Sequence, residues 1–243
     1  MRDPGAPRRR PPTGPGRSGA ADATPLGVAR RALAALSILL LCTAARAQPR
    51  DEVPLADVLE ILELDRQLLA VDARGGGEVS LSLRLGEQVL WKQANGRVAM
   101  ALTDQRILGV ATGSAAWQQL DRMNGEEIPG RAELGDRVGL LVTSRRVVGF
   151  DGGSGNLVES PLGLREQLVA TAVGRNIAVL VTDRRALGLS PQVGGFFDAR
   201  VQLGEEIERV EAQANIATVT TDRRLLIFRS PTTTWEERQR TLR

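Results

Sequence analysis

The chain has 243 residues, with 32 basic and 29 acidic side chains, no His, no Tyr and a single Cys, Cys42. Lack of His removes the commonest general base and metal ligand, and one Cys excludes an intrachain disulfide. The net charge of +3 comes from the N-terminus: residues 1–47 hold eight Arg and two Asp, leaving 24 basic and 27 acidic groups in residues 48–243. The larger part therefore carries no electrostatic footprint for nucleic acid.

Residues 1–27 are rich in Arg, Pro and Gly and read as a disordered extension. Arg30-Arg31 then precede an apolar stretch, Ala32 to Ala45, and Ala45-Arg46-Ala47 places small residues where a signal peptidase reads. This is the layout of a secretory signal cleaved after Ala47, with a periplasmic or secreted product. An uncleaved anchor is the alternative, and would be the expected route to a membrane, but the 14 apolar residues fall short of the roughly 20 that a span needs. The leader before Arg30 is long for a signal, and a translation start near Val28 would give it ordinary length.

From residue 51 onward a short phrase recurs: Leu-Asp-Arg-Gln at 64–67, Thr-Asp-Gln-Arg at 103–106, Thr-Ser-Arg-Arg at 143–146, and Thr-Asp-Arg-Arg at 182–185 and 221–224. Its second residue falls at Asp65, Asp104, Ser144, Asp183 and Asp222, so the period is 39 or 40 residues. Such a period marks a repeat architecture. Each unit divides into four segments. Segment b precedes the phrase and is apolar on both faces, as in Val138 to Val142 and Ile177 to Val181, which suits a strand covered on both sides. Segment c follows the phrase, and its third residue is small in four of five copies, which implies close sheet packing there. Gly-rich or Ser-Pro turns come next. Segment d opens with a large residue (Val79, Trp117, Leu157, Phe196, Trp235), and segment a follows Glu87, Glu126, Glu166 or Glu205. Asn95-Gly96 between a and b is a strong hairpin signal.

Four short antiparallel strands repeated around an axis describe a β-propeller blade. The expected fold is thus all-β, a five-bladed β-propeller of four-stranded repeats at approximately 51–85, 86–124, 125–164, 165–203 and 204–242. In the first unit, Val53 to Val71 also has the spacing of an amphipathic helix, and an open four-bladed or solenoid array is the alternative. The unit resembles the WD-repeat blade, in period and layout over residues 51–242. That resemblance implies an Asp in the tight b–c turn of each blade. The His that pairs with it in WD repeats has no counterpart here, and the closing Trp-Asp is missing.

The b–c turns and d–a loops of a propeller emerge on one face. Glu87, Glu126, Glu166 and Glu205 are therefore expected to engage Arg106, Arg146, Arg185 and Arg224 there, with Asp65, Asp104, Asp183 and Asp222 capping their own turns. The other phrase arginines, Arg66, Arg145, Arg184 and Arg223, with Gln105 in the second unit, would form a solvent-facing ring able to receive an acidic partner or a small anionic ligand. Trp91 and Lys92, on the innermost strand, are candidates to line the channel. No catalytic constellation, metal set or cofactor motif is legible, and the Gly-rich stretches at 75–77 and 152–155 lack the context of a phosphate loop. The reading is an exported non-enzymatic binding or scaffolding module whose partner is another exported or envelope protein. A carboxylate-dependent glycan-processing enzyme or sugar-binding lectin is the alternative.

Overall fold

A computed structural model describes residues 58–130, 132–192 and 194–240; the expected signal segment lies outside them. Five antiparallel sheets follow one another along the chain, each a meander in sequence order. Blade 1 holds β1 (Leu59–Leu64), β2 (Gln67–Asp72) and β3 (Glu78–Ser82). Blade 2 holds β4 (Val89–Asn95), β5 (Val98–Thr103), β6 (Arg106–Ala111) and β7 (Gln118–Asp121). In blade 3 the strands are β8 (Glu133–Leu134), β9 (Val138–Val142), β10 (Arg146–Asp151) and β11 (Asn156–Pro161). Blade 4 comprises β12 (Leu168–Val173), β13 (Ala178–Thr182), β14 (Arg185–Leu189) and β15 (Phe196–Arg200). Blade 5 ends the array with β16 (Ile207–Ala212), β17 (Ile216–Thr221), β18 (Arg224–Arg229) and β19 (Trp235–Gln239). The fold is a five-bladed β-propeller.

The first unit is strand, not helix: β1 and β2 pair in unbroken register from Leu59↔Asp72 to Leu64↔Gln67. It has three strands among the described residues, because the position of its segment a falls before residue 58.

Apolar side chains fill the spaces between successive sheets. One cluster joins blades 1 and 2 through Leu68, Ala70, Ala99 and Leu108, and a second joins blades 2 and 3 through Met100, Ile107, Leu141 and Phe150. Leu140, Val147, Leu180 and Leu189 belong to the third, and Val179, Ala186, Val219 and Phe228 to the fourth. The small third residue of segment c explains how the sheets come so close. A Cβ on Gly109 would stand 2.5 Å from a ring carbon of Phe150, one on Gly149 2.5 Å from Leu189, and one on Gly188 2.5 Å from Phe228. Each glycine is thus a socket for a large side chain from the c strand of the next blade.

Blade 5 has no such socket. Its equivalent residue is Ile227, and its b strand alternates, with Ala217, Val219 and Thr221 buried and Ile216, Thr218 and Thr220 partly exposed. The face that would meet a sixth sheet carries Thr218, Thr220 and the ion pairs of Glu236 with Arg229 and Arg238. A polar outer face is how a terminal repeat ends a stack. On blade 1 the uncovered face leaves Leu62 40% and Leu64 53% exposed. Gly188→Val should lower unfolding free energy by about 3 kcal/mol or more, since overpacking plus ring displacement adds to the ordinary ~1–3 kcal/mol of an inserted side chain. Ile227→Val, at the same register in blade 5, should cost about 1 kcal/mol. Denaturant titration of the two variants checks the contrast, and equal losses would contradict the socket.

Candidate functional site

The b–c turns and d–a loops meet on one face, where four nearly identical networks are built. In blade 3, Arg146 donates from Nε to Glu126 Oε1 at 2.8 Å and from Nη2 to Glu126 Oε2 at 2.9 Å, a two-pronged pair. Thr143 Oγ1 donates to Glu126 Oε1 at 2.8 Å, and the Met123 N–H donates to Oε2 at 2.9 Å. Glu87 with Arg106 and Thr103, Glu166 with Arg185 and Thr182, and Glu205 with Arg224 and Thr221 repeat the pattern. The glutamate side chains are almost wholly buried in all four.

Each arginine also reaches backwards. Its Nη2 donates to the last carbonyls of the preceding blade: Ser82 O for Arg106, Asp121 O for Arg146, Pro161 O for Arg185 and Arg200 O for Arg224. The network therefore staples one blade to the next. Blade 1 has Leu64 and Gln67 where the others have Thr and Arg, so it builds none.

The phrase aspartates do not cap their own turns. Thr103 Oγ1 already accepts the Gln105 and Arg106 N–H groups, and Thr143, Thr182 and Thr221 do the same in their turns. With those donors taken, Asp104, Asp183 and Asp222 turn outward and accept the N–H of Gln88, Gln167 and Glu206, fixing the start of segment a. Ser144 does this with its hydroxyl for Glu127. Asp65 instead occupies a tight hairpin with φ 47.

Burial by itself raises a carboxyl pKa, but here the hydrogen bonds from arginine, threonine and backbone outweigh it. Glu87 and Glu205 are lowered from 4.5 to about 2, and Glu126 and Glu166 are lowered as well. Such carboxylates stay ionised and engaged, so they are poor proton donors. Because the folded pKa lies below the unfolded one, the staples stabilise fully above about pH 4.5 and lose their contribution as pH falls toward 2. Denaturant unfolding at pH 7 and at pH 3 should show a steep loss at pH 3, with a shallower loss in Glu205→Gln, which has one fewer proton to take up.

The d–a loops are four-residue turns in which the glutamate N–H returns to the carbonyl three residues back: Arg84, Met123, Gly163 and Gln202. The third residue has positive φ, and is Gly86, Gly125 and Gly204 in three loops but Arg165, φ 63, in the fourth. That turn favours glycine there, and Arg165 holds the position under strain. Arg165→Gly should raise unfolding free energy by about 0.5–1 kcal/mol, relief of left-handed strain less the added chain entropy; a decrease in thermal stability would mean that the Arg165 side chain contributes contacts.

The second residue of these loops escaped sequence reasoning. Leu85, Leu164 and Leu203 are 87%, 86% and 99% exposed. The Leu-Gly-Glu and Leu-Arg-Glu strings were the available signal. Two of the outer arginines fold onto these loops and do not stand free: Arg184 donates to Leu164 O at 2.9 Å and Arg223 to Gly204 O at 2.9 Å. Arg145 and Arg66 occupy the equivalent turn positions of blades 3 and 1. Trp91 packs into the blade 2–3 cluster, and Lys92 pairs with Glu63 of β1 at 3.2 Å. Trp117 and Trp235 are equivalent, each donating its indole N–H at 2.9 Å to the preceding blade's d strand, at Val79 O and Phe197 O.

No protein-family model matches the chain, and no curated protein is significantly similar to it. Solved structures do match in outline. Human WBSCR16 is 11% identical with a TM-score of 0.37, covering 67% of this chain and 56% of that one. Yeast RCC1 (Prp20), solved with Kap60, is 12% identical with a TM-score of 0.33, over 67% and 53%. The WD40 domain of SCAP from fission yeast is 14% identical with a TM-score of 0.31, over 78% and 57%. The chain spans about half the length of these structures.

Proposed function

We propose that this propeller is a non-enzymatic binding module that captures a protein partner on the face bearing its b–c turns and d–a loops. One observation carries the reading: Leu85, Leu164 and Leu203 are held almost fully in solvent at equivalent loop tips. Nothing in the turn requires leucine, because Asn124 fills the same position in the loop before blade 3. Exposed apolar side chains on rigid loops gain free energy only when something covers them. Arg184 and Arg223 lie against the loops of Leu164 and Leu203, and suit a partner segment that mixes acidic and apolar residues.

A proton-transferring role for the four buried glutamates is disfavoured by their chemistry, since each is fully engaged with an arginine. The signal-like segment ending at Ala47 leads us to place the module outside the cytoplasm, with an exported or envelope protein as partner. Crosslinking in intact cells followed by mass spectrometry tests both points. Burying a leucine is worth about 1.5–3 kcal/mol, so Leu164→Ser with Leu203→Ser should weaken capture by about a hundredfold or more. The melting temperature should not change. Undiminished capture by that double variant would rule out the loop tips as the working surface.

A further inference from the structure

The four staples are not equally complete. In three of them the arginine Nη1 finds an acceptor thirteen residues further on, in strand d of its own blade. Arg146 Nη1 donates to Glu159 Oε2 at 2.6 Å, Arg224 Nη1 to Glu237 Oε2 at 2.6 Å, and Arg106 Nη1 to Gln119 Oε1. Those acceptors occupy one register position: Glu159 opposite Val148, Glu237 opposite Leu226 and Gln119 opposite Leu108. In blade 4 the same position, opposite Leu187, is Asp198. Aspartate is one methylene shorter and makes no bond to Arg185, whose Nε and Nη2 remain on Glu166 and Pro161 O. Among the described residues Nη1 has no acceptor. The consequence is visible in exposure: the Arg185 side chain is 24% exposed, against 3% for Arg106 and Arg146 and 4% for Arg224.

The same junction departs from the repeat elsewhere. Its loop alone carries an arginine, Arg165, at the left-handed position, and Arg184 folds onto the Leu164 carbonyl at 2.9 Å. Three guanidinium groups therefore gather around the loop of 163–166. Against them stand Glu166, already engaged, Asp183, held by the Gln167 N–H at 2.9 Å, and the exposed Asp198. The charges balance, so hydrogen-bond geometry must select what binds.

We propose that the blade 3–4 junction is a receptor for a side-chain carboxylate of the partner, which completes the Arg185 fork where Asp198 falls short. This rests on the loop face being the working surface and specifies the contact within it. Glutamate fills the equivalent position in blades 3 and 5, so the fold itself demonstrates the geometry that an incoming carboxylate would adopt. Charge assistance makes a carboxylate the stronger acceptor. An apolar neighbour of that residue would meet Leu164 on the same loop.

The test fills the gap from within. Asp198→Glu should bond Arg185 internally, reduce its exposure and raise the melting temperature, while closing the site to ligand. The probe is the acetylated, amidated tripeptide Leu-Glu-Leu, followed through the Arg185 Nε–H and Leu164 methyl resonances of the full chain. Wild type should show saturable shifts at both groups, and Asp198→Glu should bind about tenfold more weakly, the loss of one charge-assisted bond. The Leu-Gln-Leu analogue with a free C-terminus separates a side-chain carboxylate from a terminal one. Shifts produced equally by it, absence of saturable shifts in wild type at millimolar peptide, or unchanged affinity in Asp198→Glu would each overturn the proposal. Partner capture in cells that survives Asp198→Glu but is lost in the Leu164/Leu203 double variant would sink the receptor and leave the loop face standing.

Discussion

A buried arginine fork joins each sheet to the one before it. Single blades of this kind have no interior of their own, since both faces of a four-stranded sheet must be covered by neighbours. Apolar contacts supply that cover, and the glycine sockets set part of the register. The fork fixes it at the loop-bearing edge. Its Nε and one Nη2 contact hold Glu126, while Nη2 also reaches Asp121 O at the end of blade 2. Replacing such a pair by apolar residues is often neutral for stability, whereas removing one partner costs ~3–5 kcal/mol. Specification of geometry is the better account of why four copies keep it.

The array has a direction and two unlike ends. Phe150, Leu189 and Phe228 each insert into a glycine socket of the preceding blade. Blade 5 offers Ile227 instead of a socket and paves its outer face with Thr218, Thr220, Arg229 and Glu236. Blade 1 presents the inserting side, with no socket for it among the described residues, and its partly exposed Leu62 and Leu64 lie on that side. The four apolar clusters correspond to the four junctions between consecutive blades, and the strand packing runs from each blade to the next.

Much of this was legible in the chain because the repeat does the alignment. A period of 39 or 40 placed strands b, c and d of each unit, and the small residue in segment c announced a close approach. The first strand of blade 3, however, forms at Glu133–Leu134 and not near Ile128. The fifth copy of segment b was read as apolar on both faces like the others, and Thr218 and Thr220 on its outer face depart from that. The glutamate–arginine partners were readable from their spacing of 19 or 20 residues. What the turn Asp does was not. Thr and Asp compete for the same N–H donors, and which side chain wins depends on turn geometry that a string of letters does not carry. Leu85, Leu164 and Leu203 were overlooked for a different reason: apolar letters are read by default as core, and only the turn's positive φ at the following residue shows that they point outward.

The staples also determine what kind of surface the loops present. Each d–a loop is held at both ends, by the glutamate carboxylate on the backbone N–H three residues earlier and by the phrase aspartate or serine on the N–H one residue later. A leucine at the tip of such a loop loses little backbone freedom when a partner covers it, so the binding free energy is not spent on ordering. The cost of keeping that tip rigid was met during folding, by burying charge against charge. Regular staples thus produce a row of equivalent contacts, and a single irregular one, at Arg185, distinguishes one position in the row from the rest. A binding surface built from repeats needs such a break, since a periodic surface by itself offers a partner several registers of equal energy.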